Sequence, residues 1–264
     1  MFFIKAIIDI CIVILLLRLL IRSSEVFFDP IYRLIYRITD PLLTPSQYIT
    51  RDVTKGIFMS ILGLVALRGL VYMSIKSTSF LFGAGISLLD LLRLLFQGYM
   101  VFLFISVLSQ SGFGTTFVNM IQRAFIPLNR VSRRFGVPRR HFSLFVFLFL
   151  LILYALLSFS IYYLMIPKTI SAIEGLGEGL LLVVSLFPGF FSLIIIIGAL
   201  LSWVSPDPHN PVVQAIYGIS EPLLRPFRRF VPLLGGLDVS PIVAILCFQI
   251  LGRFGQQLII GLMM

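Results

Sequence analysis

The sequence predicts an all-α membrane protein with about six transmembrane helices, arranged as three repeats of helix, short interfacial amphipathic helix, helix. Three observations predict it. Apolar windows recur at the length a bilayer requires, basic residues gather in alternate connections, and one proline-marked segment occurs three times without gaps.

The solvent comes first. Hydrophobic residues make up 59% of the 264 positions and charged residues only 12%, too little polar surface for a water-soluble domain. The formal charge of +10 sits at the ends of apolar runs. It therefore points to arginine at a cytoplasmic membrane surface rather than to nucleic acid. Cys11 and Cys247 both fall inside apolar segments and read as small hydrophobes, not as a disulfide or a metal site.

The windows are 2–20, 57–75, 86–108, 143–166, 180–204 and 241–263. Each is read as helix because a spanning segment in lipid must satisfy its own backbone. The first begins "MFFIKAIIDICIVILLLRLL"; it lacks a small-residue cleavage site and is broken by Asp9 and Arg18, so it is read as a retained helix. The fifth contains "LFPGF" (Leu186 to Phe190), which predicts a kink or short break. Connections 21–56, 109–142 and 205–237 hold five, six and three of the 21 Lys and Arg, whereas the other two hold only Lys76 and Lys168. The positive-inside tendency then places the three basic connections in the cytoplasm and both termini on the opposite side.

Aligning Pro41, Pro127 and Pro222 brings the basic connections into register. Ile31, Leu34, Ile35 and Ile38 match Met120, Ile121 and Ala124 (with Phe117), and Val212, Ala215, Ile216 and Ile219, each set spaced as one helical face. Asp29, Thr115 and Asn210 precede them as N-cap candidates, with Pro30 and Pro211 following two of the three. The three aligned prolines are expected to end these helices. Behind the second and third runs Leu-x-Arg-x-x-Arg-Arg-Phe: Leu128, Arg130, Arg133, Arg134, Phe135, and Leu223, Arg225, Arg228, Arg229, Phe230. The repeats are bounded at 1–75, 86–166 and 180–264. Their amphipathic helices either lie on lipid, arginines toward headgroups at roughly 1 kcal/mol each, or pack on neighbouring spans.

The stretch from Ser202-Trp203 through Pro206-Asp207-Pro208, Asn210-Pro211, Glu221-Pro222-Leu223-Leu224-Arg225-Pro226 and Arg228-Arg229 closes in Gly235-Gly236-Leu237-Asp238-x-Ser240-Pro241. It resembles the YggT family of small integral membrane proteins. The first third is a weaker copy, carried by Arg18, Asp29-Pro30 and Thr39-Asp40-Pro41-Leu42-Leu43, and the middle copy keeps mainly the basic turn. Family members are often built from two such units, so a third is a departure. The resemblance implies a membrane location but no single biochemistry, and it brings no catalytic residues. Relatives are connected with osmotic stress and potassium uptake, with division or envelope organisation, and with haem attachment in chloroplasts.

Gly235, Gly236, Asp238, Ser240 and Pro241 read as a structural turn in which the glycines bend the chain, Ser240 caps and Pro241 opens the last helix. Asp238 can cap too, or pair with Arg225, Arg228 or Arg229, and Glu221 likewise. Within the spans sit Asp9, Arg18, Arg68, Asp90, Arg93 and Arg253. Each needs a partner, a wet cavity or a snorkelling route. Arg18 is expected to snorkel, and Asp90 and Arg93 to pair three residues apart. Arg68 and Arg253, mid-span, are expected to face Asp9 or Asp90 inside the bundle.

His141 and His209 both lie in connections, and neither a catalytic triad nor a phosphate-cradling loop is legible. The reading is a non-catalytic scaffold or assembly factor. It has no cofactor or metal, and its arginines (Arg130, Arg133, Arg134, Arg225, Arg228, Arg229) contact anionic lipid or other membrane proteins. A homo-oligomer fits the same surface. The alternative is a channel or transporter subunit for potassium. Two Asp against four Arg in the spans disfavour a cation path, unless carbonyls at "LFPGF" supply one.

Overall fold

The computed structural model describes residues 2–22, 25–26, 30–76, 79–108, 115–166, 171–204, 207, 210–231 and 238–263. Among them the chain is helical, with no strand. The order is α1 (Phe2–Leu20), α2 (Pro30–Gln47), α3 (Val53–Lys76), α4 (Phe80–Leu108), α5 (Thr115–Ala124), α6 (Ile126–Arg134), α7 (Phe142–Met165), α8 (Ala172–Ser185), α9 (Ser192–Val204), α10 (Pro211–Arg228) and α11 (Ser240–Met263). Five stretches are long and apolar enough to cross a bilayer: Val53–Ser74, Phe80–Val107, Arg139–Met165, Ile173–Ser202 and Ser240–Met263. The chain is an all-α membrane protein. α1 is as long as a span but carries Lys5, Asp9 and Arg18 within its 19 residues, which keeps it outside that group of five.

The chain divides into two compact units, one formed by Met1–Phe96 with Leu156–Ala172, the other by Gln97–Ala155 with Ile173–Met264. The division falls inside α4 and inside α7.

In the first unit, Ile8, Ile12 and Leu15 of α1 meet Leu43 of α2 and Ile57, Ile61 and Val65 of α3. Spacings of three and four residues put each helix's set on one face. Lipid is as apolar as these side chains, so close packing and polar contacts hold the helices together. α3 and α4 approach closely at Gly69 and Gly83, where backbone meets backbone.

α2 and α10 do not end at the aligned prolines: Pro41 and Pro45 lie inside α2, and Pro222 and Pro226 inside α10. The expected breaks are corrected in these two copies. A helix-interior proline costs about 3 kcal/mol through its lost N–H and its clash with the preceding turn. Here burial of the opposite face outweighs it, with Leu43 and Ser46 buried in α2 and Leu223 and Leu224 in α10. In α2 the carbonyl deprived of a donor by Pro45 is that of Pro41, and Thr44 Oγ1 donates to it at 3.1 Å. In the middle copy the break is present: α5 ends at Ala124, the chain turns at Phe125, and Pro127 sits in the first turn of α6.

The "LFPGF" segment is a single π-helical turn, Phe187–Phe191, joining α8 to α9. Pro188 cannot donate, so the helix widens and the Phe191 N–H donates to the Leu186 carbonyl at 2.9 Å. Ser192 Oγ donates to the Phe187 carbonyl at 2.8 Å, and Gln249 Nε2 of α11 to the Pro188 carbonyl at 3.0 Å. Gly252 packs on the Pro188 ring so closely that a Cβ there would come within 2.8 Å of it.

Candidate functional site

Three polar constellations hold the charges singled out by sequence. The deepest joins α1, α3 and α4. Arg68 is 1% exposed. Its guanidinium is ion-paired through Nη1 with Asp9, donates from Nε to Ser87 Oγ (3.0 Å) and from Nη2 to the Ser87 carbonyl (2.6 Å). Ser87 Oγ in turn donates to the Val65 carbonyl at 2.6 Å. One helical turn along α4 from Ser87, the buried Asp90 accepts from Tyr72 Oη (2.5 Å) and pairs with Lys5 Nζ (3.0 Å) and Arg93 Nη1 (3.6 Å). Three cations thus enclose two carboxylates. The sequence pointed to Asp9, Arg68, Asp90 and Arg93, but not to Lys5, Ser87 or Tyr72. Hydroxyl groups carry no periodic signal, and Lys5 reads as an ordinary helix-end lysine.

Arg253 behaves differently from Arg68. It is exposed on α11 and makes no ion pair among the described residues. The expectation that it faces a carboxylate inside the bundle is corrected: Gly252, its neighbour, occupies the packed face against Pro188, and Arg253 turns away from it.

The second constellation ties α1 to α2. Arg18 does not snorkel; it is buried, because α2 packs over its end of α1. Its Nη1 donates to Thr39 Oγ1 (2.6 Å) and Asp40 Oδ1 (2.7 Å), and its guanidinium lies 4.0 Å from the Tyr36 ring centroid. In the third copy Ser220 occupies the place of Thr39, and Gly198 of α9 lies against it. An arginine contact in one copy is a close backbone approach in the other.

The third constellation closes the turn into α11. Arg228 Nη1 donates to both carboxylate oxygens of Glu221 (2.7 and 2.6 Å), and its Nε donates to Asp238 Oδ2 (2.7 Å). Asp238 Oδ1 accepts the Ser240 N–H at 2.9 Å. Asp238, not Ser240, is therefore the capping side chain; Ser240 and Pro241 are the first two residues of α11, both buried. Gly235 and Gly236 lie outside the described residues. Pro222 is interior to α10 and marks no turn. Burial alone would lower the Arg228 pKa, but the two bonded carboxylates raise it overall. Burial likewise pushes Asp238 up, and its bonds from Ser240 and Arg228 override this and hold it below the ordinary carboxylate value. A carboxyl with a lowered folded-state pKa stabilises above its unfolded value and loses that contribution as pH falls. The stability difference between wild type and Asp238→Asn should thus be full near pH 6 and shrink below about pH 4, read as apparent Tm in detergent.

The remaining candidates are surface arginines. Arg130, Arg133 and Arg134 are exposed on the side of α6 opposite its buried Leu128 and Ser132. Arg225 and Arg229 are exposed opposite the buried Leu223 and Leu224. Arg228, grouped with them by sequence, has its guanidinium engaged by Glu221 and Asp238.

Residues 177–259, running from α8 through α11, match the CCB3/YggT family. An uncharacterized protein of Pseudomonas aeruginosa is 49% identical over 69 residues, covering 26% of this chain and 35% of the relative. An uncharacterized protein of Haemophilus influenzae is 42% identical over 69 residues, 26% of this chain and 38% of the relative. The uncharacterized protein YggT of Escherichia coli K12 is 33% identical over 79 residues, 27% of this chain and 42% of the relative. The chain thus spans less than half the length of these relatives. No solved structure matches it. Within this membrane protein, residues 177–259 are similar to the CCB3/YggT family.

Proposed function

We propose that the protein is a non-catalytic scaffold or assembly factor of a bacterial inner membrane, organising membrane complexes through a basic cytoplasmic surface. With α1 crossing the bilayer as a sixth span, both termini then lie on the non-cytoplasmic side, by the arginine bias of the connections. The observation that carries the reading is the sorting of the charges. Arg130, Arg133, Arg134, Arg225 and Arg229 stand exposed on short amphipathic helices whose other faces are buried, whereas Asp9, Arg68 and Asp90 are consumed in internal pairs. Exposed guanidinium groups on a packed helix suit anionic headgroups and acidic faces of neighbouring membrane proteins. α2 supports the same placement. Leu34 and Ile38 are exposed on one flank, and Arg33 and Arg37 lie on the other.

A channel or potassium-transport subunit is the reading to beat. Its best loophole was a set of free carbonyls at the π turn, and those of Phe187 and Pro188 accept from Ser192 and Gln249. The test replaces Arg130, Arg133, Arg134, Arg225 and Arg229 by Gln together. Reconstituted with spin-labelled phosphatidylglycerol, the variant should lose its enrichment of that lipid several-fold, at about 1 kcal/mol per arginine. In cells it should insert normally yet lose complexes that co-purify with wild type in mild detergent. Unchanged enrichment and co-purification, or selective cation flux through liposomes of the wild-type protein, would overturn the proposal.

A further inference from the structure

We propose that the face of α11 around Arg253 is a docking surface for a spanning helix of a different protein, one carrying an aspartate or glutamate near mid-bilayer. At 1.5 Å per residue, Arg253 lies roughly 20 Å from Ser240 and roughly 15 Å from Met263 along α11. It is exposed there, on a stripe with Ile242, Leu246, Ile250 and Phe254, which are exposed too. Gln257, one turn further, adds an exposed amide to the same face. A three-methylene stem does not carry a guanidinium from that depth to either headgroup layer, so lipid phosphate is not its partner. A charge facing hydrocarbon is disfavoured, and intramembrane arginines are found facing protein or water. Arg68 in the first unit shows the usual resolution, burial against an aspartate.

A second copy of this chain does not provide that aspartate. A two-fold contact through this face sets Arg253 against itself. Of the carboxylates within the spans, Asp9 is held by Arg68, and Asp90 by Tyr72, Lys5 and Arg93. Glu174 and Glu178 lie in the first two turns of α8, and Glu221 and Asp238 outside the spans. Charge complementarity therefore calls for a carboxylate from elsewhere, on a helix whose apolar side chains cover Ile250 and Phe254.

The test reconstitutes the full chain in vesicles with a synthetic leucine-rich spanning helix bearing either one central Asp or Leu in its place. Association is read by energy transfer. The Asp helix should associate about three- to tenfold more than the Leu helix, the range of measured polar contacts between membrane helices. Arg253→Leu should abolish that difference and Arg253→Lys retain part of it. Equal association of both helices with wild type, or a difference that survives in Arg253→Leu, would sink the proposal. So would energy transfer between two copies of the chain that disappears in Arg253→Leu, since it assigns the face to self-association. Removing an exposed charge should leave elution and helicity as in wild type; Arg253→Gln repeats the comparison if it does not. The five-arginine variant should keep this association, so the two proposals fail separately.

Discussion

Arg68→Leu should be among the most destabilising single changes in the first unit, by about 3 kcal/mol, the lower end of what breaking a buried ion pair costs. The low end applies because Asp9 is only partly buried and can relax toward water or take up a proton. The net worth of a polar contact between membrane helices is smaller, about 0.6 kcal/mol on average. That figure does not govern here, since removing one partner leaves a carboxylate unpaired in the bilayer. Two further variants separate these effects. Asp9→Leu/Arg68→Leu should recover most of the loss, because replacing a whole buried pair by apolar groups is close to neutral. Arg68→Lys should fall between, keeping the charge but losing the fork that reaches Asp9 and both Ser87 oxygens. Apparent Tm in detergent and steady-state accumulation in membranes give the readout. A single variant as stable as wild type would show that the pair contributes nothing.

Gly83→Val should be comparably severe for a different reason. A Cβ at Gly83 would sit 2.5 Å from the Gly69 carbonyl oxygen and 3.1 Å from the Met73 nitrogen. Both are backbone atoms and cannot swing aside, so α4 must move bodily away from α3. Overpacking typically costs 1–3 kcal/mol, and about 3 kcal/mol is expected here, because the shift also stretches the Arg68–Ser87 bonds one turn along. Gly98→Ala is the control. A Cβ there meets nothing within 4 Å, so the change should be neutral or stabilise by up to about 1 kcal/mol through helix propensity. If Gly83→Val and Gly98→Ala have equal apparent Tm, the close approach of α3 to α4 is wrong.

Both variants act where sequence reading is weakest. The mid-span position of Arg68 made a carboxylate partner on another helix foreseeable, and Asp9 was one of two candidates. Nothing along the chain marked Ser87 as the group that completes the guanidinium, since a serine inside an apolar run looks like any small residue. Gly83 is likewise unremarkable until α3 lies against it. The prolines show the opposite failure. Their local rule is strong, yet α2 and α10 run through Pro41, Pro45, Pro222 and Pro226 because burial of the far face outweighs the local penalty. In the amphipathic helices the sequence foresaw an apolar face, while the side chains buried in α2 are Tyr32, Thr39, Leu43 and Ser46, a different stripe from Ile31, Leu34, Ile35 and Ile38. The exposed stripe suits lipid and the buried one protein.

By themselves the chain's composition and periodicity determined the solvent, the helices and the amphipathic character of α2 and α10, and its motifs between Ser202 and Pro241 carried the YggT resemblance, because these depend on residues close together in sequence. Only the tertiary structure decided which charges are consumed and which are left to act. In one dimension Arg68 reads like Arg253, both mid-span, and Arg228 reads like Arg225 and Arg229, all in one basic turn. Their roles are set by whether a carboxylate on another turn or another helix falls within a few ångströms, and that distance is fixed by packing.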